Sequence, residues 1–283
     1  MTQDGCGAPR GDSARLTHAR RESPLRATAE FARKALVIAE LEARKLRHDP
    51  TELFTRAIQP ALWLLVFGQV FTHLRAIPTG DLRYLDFMAP GILAQSVLFI
   101  SIFYGISIIW ERDLGIVHKF LVTPTPREAI VLGKALSAGV RGLSQAVIVY
   151  ALAAALGVKI DWSPLSLLGV VAIVALGAAV FSTFSLIIAC LVKTRERFMG
   201  IGQVMTMPLF FASNAIYPIA IMPGWLRVIA RANPLTYEVD ALRALMLPGA
   251  ASAYGLGLDV LVLIGVTALL ILIAGRLYPK VAI

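Results

Sequence analysis

Residues 165–192, LSLLGVVAIVALGAAVFSTFSLIIACLV, carry no charged side chain, and the basic turn KTRER follows at 193–197. A bilayer core about 30 Å thick is crossed by about 20 apolar residues in a helix, so this run predicts a membrane span that ends at a basic turn. Ser163-Pro164 supplies the start, with a capping hydroxyl ahead of a proline at the first helical position. The rest of the chain agrees in composition. It has 283 residues, 57% hydrophobic and 16% charged, which is too apolar for a soluble domain and fits a polytopic, all-α membrane protein.

Working outward, further apolar runs predict six spans, at about 54–71, 87–109, 129–156, 165–192, 198–214 and 256–274. Asp49-Pro50-Thr51-Glu52 and Thr125-Pro126-Arg127-Glu128 carry capping signals for the first and third. The charge-free stretch 198–226 is too long for one straight crossing and contains Pro208, Pro218 and Pro223. It predicts a span to about Asn214, a re-entrant or interfacial bend, and short helices within 223–247, the second begun by Asn233-Pro234 and stopped by Pro248-Gly249. Before the first span, residues 26–48 place apolar and charged side chains on opposite arcs of a helix, as an interfacial amphipathic helix does. Residues 1–25 are polar and Arg-rich, read as a disordered cytoplasmic tail, and have no apolar core of a signal peptide.

The basic excess, 27 Lys and Arg against 18 acids, marks topology rather than a nucleic-acid surface, because the cations lie in the tail and beside the apolar runs. With both termini inside, the inner segments hold 20 Lys and Arg and the outer ones 6. The positive-inside rule then places both ends and residues 110–128 in the cytoplasm and the helices of 223–247 outside. Localisation in the cell (inner) membrane is expected.

Signals of catalysis are missing from the sequence. Cys6 and Cys190 make no metal or redox motif, and the four histidines form no ligand pair. There is no Walker A: Gly133-Lys134 is followed by Ala135, and Glu128 stands where the first glycine belongs. No catalytic, cofactor or metal residue is expected, and any work must be driven by a partner or an ion gradient. Arg141 lies about 22 Å along the third span from Pro126, near mid-membrane, where an Arg facing lipid costs about 3 kcal/mol. Lys134, Arg141 and Gln145 share one helix face. They are candidates for a polar path or a subunit contact, or for a satisfied inter-helix network. Gln95, Ser101, Tyr104 and Asn214 are further intramembrane polar groups of the same kind.

Trp110–Lys134, WERDLGIVHKFLVTPTPREAIVLGK, separates two spans. Glu111, Arg112, Asp113 and Lys119 give it charge, and Phe120 and Leu121 contribute an apolar face. Such a helix suits the groove of a soluble partner, or serves as a connector lying on headgroups.

The residues Glu111, Arg112, Gly115, Leu121, Thr123-Pro124, Arg127 and Gly133-Lys134 resemble the permease subunits of ABC-2 type transporters, the daunorubicin-resistance branch in particular. The block IYPIAIMPGWLRVIARANPLTYEVDALRALML at 216–247 is similar to the same family, and the likeness runs from about residue 26. One departure is Ile116-Val117, where many relatives have Thr and then a polar or acidic residue. The resemblance implies a homodimer in membrane lipid, joined to two copies of a separate ABC ATPase that binds ATP and Mg. It implies that 110–128 is the coupling segment seated in the ATPase, with Glu111, Arg112, Asp113, Gly115, Lys119, Phe120, Leu121, Thr123, Pro124 and Arg127 in that contact. Pro223, Trp225, Asn233, Pro234, Tyr237, Asp240 and Arg243 would belong to an external lid. The expected activity is export of a hydrophobic drug, lipid or glycoconjugate. An ion-coupled carrier and a non-transporting scaffold are the other classes compatible with the composition.

Overall fold

The computed structural model describes residues 50–74, 77–80, 82–114, 127–192 and 194–277. The expected tail 1–25, the interfacial helix 26–48 and coupling residues 115–126 lie outside them. Among the described residues the chain is helical and contains no strand. In order, α1 is Pro50–Leu62, continued by a π-helical segment Trp63–Gly68 and by α2, Gln69–Leu74. Then come α3 (Tyr84–Tyr104), α4 (Ile106–Asp113), α5 (Arg127–Ala155), α6 (Pro164–Leu191) and α7 (Arg195–Phe211). The last three are α8 (Gly224–Ala232), α9 (Pro234–Met246) and α10 (Leu256–Leu277). Four helices, α3, α5 from Gly133, α6 and α10, are long and apolar enough to cross a membrane.

Helix α3 is the central element, buried along most of its length and packed against α5, α6 and α9. Lipid tails are as apolar as Leu, so close packing rather than escape from water must hold such helices together. The α5–α6 contact shows how. A methyl group placed on Gly142 would lie 3.3 Å from the Ala178 side chain and one on Gly139 3.8 Å from that of Ala175, so small residues one turn apart let the two backbones approach. Phe181, Phe198 and Phe210 pack among the helices, and all three are fully buried.

Local chemistry sets the helix ends. The Ser163 hydroxyl accepts from the Ser166 amide ahead of Pro164, and Thr194 accepts from the Arg197 amide at the start of α7. At one end of the bundle, Asp86 accepts from Arg83 Nε at 2.9 Å and Nη2 at 2.8 Å, and from the Lys159 amide at 3.3 Å. This carboxylate joins the entry of α3 to the connection between α5 and α6. The opposite end carries Trp110, Asp113 and Arg195.

Helix α9 is inserted into the bundle rather than laid upon it. Asn233 starts it: Oδ1 accepts from the Leu235 amide at 3.0 Å, and Nδ2 donates to the carbonyls of Leu209 at 2.7 Å and Ala212 at 2.9 Å. Those carbonyls lie in the last turn of α7 and just past it, so one side chain caps two helix termini. Arg243 is buried. It donates to the Phe87 carbonyl and, at 2.9 Å, to the Asn214 carbonyl, and its guanidinium lies 3.8 Å from the centre of the Phe87 ring. By contrast α8 leaves Trp225, Val228 and Ile229 exposed, which is an apolar face suited to lipid.

Candidate functional site

Three groups of polar residues stand out from this apolar scaffold. The first joins α4 to α7. Asp113 accepts from Arg195 Nη2 at 2.8 Å and lies 3.5 Å from Arg112 Nη2. Arg195 also stacks over Trp110, 3.9 Å from the ring centre, and Arg112 donates to the Val192 carbonyl at 3.3 Å. The Arg195 hydrogen bond, helped by the charges of Arg112 and Arg195, holds the Asp113 carboxyl below the usual carboxylate range. The last turn before residue 115 is therefore latched to the first turn of α7. Of the expected coupling residues, Arg112 and Asp113 belong to this latch, Glu111 is on α4 and Arg127 opens α5. Gly115, Lys119, Phe120, Leu121, Thr123 and Pro124 lie outside the described residues.

The second group lines a cavity of about 300 Å³ between α1, α3 and α5. Pro60 creates an opening in the α1 hydrogen-bond ladder. It has no N–H, so the Arg56 carbonyl one turn back lacks its helical donor. Gln145 of α5 supplies one, Nε2 donating to that carbonyl at 3.2 Å, while Arg56 Nη1 donates to Ser144 Oγ at 3.4 Å. Arg141 enters the same cavity with its guanidinium 4.9 Å from the centre of the Tyr104 ring. Phe99 and Phe103 form the apolar wall.

The structure thus divides the expected intramembrane polar set. Tyr104, Arg141 and Gln145 come together. Gln95 and Ser101 are buried and do not line this cavity. Asn214 sits under α9, where its carbonyl meets Arg243. Lys134 lies two turns before Arg141 on α5. Arg56 also lines this cavity, and in the sequence only Pro60, four residues later, marks its carbonyl as one without the i+4 donor.

The third group surrounds α9. Asp240 and Asp259 are buried, and Ser252 Oγ lies 2.8 Å and 2.7 Å from one oxygen of each. Glu238 is fully buried against Gly177 of α6, and neither carboxyl oxygen has a hydrogen-bond partner among the described residues. Of the expected lid residues, Asn233, Asp240 and Arg243 are buried inside the bundle. Pro223 and Pro234 start α8 and α9, Trp225 is exposed, and the Tyr237 hydroxyl donates to the Arg231 carbonyl.

A bundle of long apolar helices with few internal charges defines a multi-pass membrane protein. The ABC-2 type transporter family model matches residues 34–247, and the chain belongs to that family. It is 28% identical to the daunorubicin resistance ABC transporter permease protein DrrB1 of Streptomyces coeruleorubidus over 257 residues, 91% of this chain and 89% of that protein. It is also 28% identical to the putative transport permease ycf38 of Cyanophora paradoxa, over 76% of this chain and 74% of that one. Nodulation protein J of Rhizobium leguminosarum bv. trifolii is 28% identical over 59% of this chain and 64% of its own length. The protein is an ABC transporter permease. In this family the membrane subunit is a transport component, and ATP hydrolysis belongs to a separate ABC ATPase partner.

Proposed function

We propose that the protein is the membrane subunit of an ATP-driven exporter that moves a hydrophobic drug, lipid or glycoconjugate out of the cytoplasm or the inner leaflet. The observation that carries this reading is the match to a daunorubicin resistance permease over 91% of the chain. In this reading, two copies of the chain form a homodimer in the cell membrane and bind two ATPase subunits, which hold ATP and Mg. Six spans place both termini in the cytoplasm. The π-interrupted helix from Pro50 to Leu74 and the 17-residue α7 then serve as crossings beside the four longer helices. The charge distribution supports that orientation.

Residues 110–128 then form the coupling segment. The latch of Asp113 and Arg195 supports this role, because a displacement applied there passes directly into α7. Helix α7 leads to the carbonyls that Asn233 caps. Motion at the ATPase contact therefore has a continuous rigid route to α9, the helix assigned to the lid.

The test is co-purification with the ABC ATPase encoded nearest to this chain, followed by reconstitution into vesicles and transport of dyes and labelled lipids. Export that requires hydrolysable ATP is expected, and Glu111→Lys and Gly115→Trp should keep assembly while uncoupling hydrolysis from export. Transport driven by an ion gradient without the ATPase would overturn the reading.

A further inference from the structure

We infer that Glu238 is a proton-binding site, and that α9 takes up one proton there when it inserts into the bundle and releases it when it withdraws. The linkage concerns the permease alone and holds whatever the protein transports.

The carboxyl itself is the first reason. Glu238 is completely buried, and neither oxygen has a hydrogen-bond partner among the described residues. An ionised carboxylate is not stable in an apolar interior without a paired charge or several donors, and it gives way by taking up a proton. Burial accordingly raises the Glu238 carboxyl well above the usual carboxylate range.

The neighbouring elements supply no cation in the proton's place. Helix α9 packs against α3, α6, α8 and α10. Residues 165–192 of α6 carry no charge. The charged residue of α3, Asp86, is held by Arg83. On α8, Arg227 donates to the carbonyls of Ala220 and Met222, and Arg231 is exposed. On α10, Asp259 shares Ser252 with Asp240, and Arg276 lies about 26 Å further along the helix. Within α9 itself, Arg243 is spent on the Phe87 and Asn214 carbonyls, and the Tyr237 hydroxyl on that of Arg231.

Space is the second reason. A methyl group on Gly177 would overlap both Glu238 oxygens, so the carboxyl lies directly against the α6 backbone. The cation that enters such a contact without moving α6 is a proton.

Freedom to move is the third. The α8–α9 pair is flanked by non-helical chain at 212–218 and 247–255, which can absorb a hinge motion. Once α9 withdraws, the carboxyl meets water and titrates near 4.3. Its value is higher when inserted, so insertion is independent of pH below about 4.3. Above that it weakens about tenfold per pH unit until the raised value is reached.

The test uses the full chain in detergent. The infrared spectrum of the wild type minus that of Glu238→Gln, at pH 7, should contain the carbonyl band of a protonated carboxylic acid. Hydrogen exchange of the α9 peptides between pH 5 and 8, divided by the intrinsic rate of the same peptides, reads the opening of α9. That opening should grow about tenfold per pH unit through this carboxyl. Glu238→Gln should remove the step, while Asp259→Asn, beside Asp240 on the other side of α9, should leave it in place. If Glu238→Gln does not fold, Glu238→Met keeps a similar volume and removes the same proton site. An ionised Glu238 at pH 7 overturns the inference. A pH dependence unchanged in the Glu238 variant also overturns it. So does α9 opening that is flat with pH in the wild type, which would make Glu238 a permanently neutral core residue. None of these readouts requires an ATPase or a transported substrate, so failure here is distinct from failure of the export reading.

Discussion

Gln145 Nε2 donates to the Arg56 carbonyl at 3.2 Å, replacing the backbone donor that Pro60 removes from α1. The contact joins residues 89 positions apart and holds α1 to α5 beside the cavity that both line. Inter-helix hydrogen bonds in membranes contribute only about 0.6–2 kcal/mol each. Pro60 removes the i+4 backbone donor of the Arg56 carbonyl, so the loss of this contact should sit at the upper end.

The first prediction follows. Gln145→Leu should lower the stability of the purified protein by about 1–2 kcal/mol, read from thermal unfolding in detergent. Pro60→Ala restores the main-chain donor, so the same Gln145 substitution should cost less in that background. Strict additivity of the two changes would show that the carbonyl is not what Gln145 serves.

Gly177 of α6 faces the Glu238 carboxyl so closely that a methyl group there would overlap it. Gly177→Ala should therefore destabilise by about 1–3 kcal/mol, the usual range for overpacking, and reduce the yield of monodisperse protein. Glu238→Ala should relieve the clash in the double variant, whereas Glu238→Gln, of equal size, should not. Equal rescue by both would point to charge instead of volume.

Arg243 donates to the carbonyls of Phe87 and Asn214, so one guanidinium ties α9 to α3 and to the chain beyond α7. Arg243→Lys keeps the charge but not the fork and should cost about 1–3 kcal/mol. Arg243→Leu should cost at least as much and should speed proteolysis between α7 and α8. A neutral Arg243→Lys would mean that charge alone suffices.

These cases show which features could be read from the sequence. The helical class and the caps at Ser163 and Asn233 depend on neighbours two or three residues away, so local pattern reveals them. Arg141 and Gln145 share a helix face by spacing alone. Arg56 belongs with them only because α1 packs against α5, a long-range pairing that periodicity does not encode. The burial of the polar residues of α9 is not legible for a related reason. Glu238, Asp240 and Arg243 are all buried because the Asn233 cap and Arg243 insert α9 into the bundle, again through long-range contacts.

Asp113 and Arg195 supply the last prediction, on pH. Hydrogen bonding to Arg195 lowers the folded carboxyl below its unfolded value of about 3.9, so the latch stabilises the fold above that value. The contribution is lost as pH falls through the lowered folded value, and alkaline conditions leave it unchanged. Arg195 stacks on Trp110, which makes the event visible. In a variant with Trp63, Trp162 and Trp225 replaced by Phe, Trp110 emission should stay constant from pH 7 to about 4 and change below it. Asp113→Asn should remove that acid step and already show the altered emission at pH 7, as should Arg195→Gln. An acid step that persists in Asp113→Asn would assign the titration to another group and break the link between this pair and the α4–α7 latch.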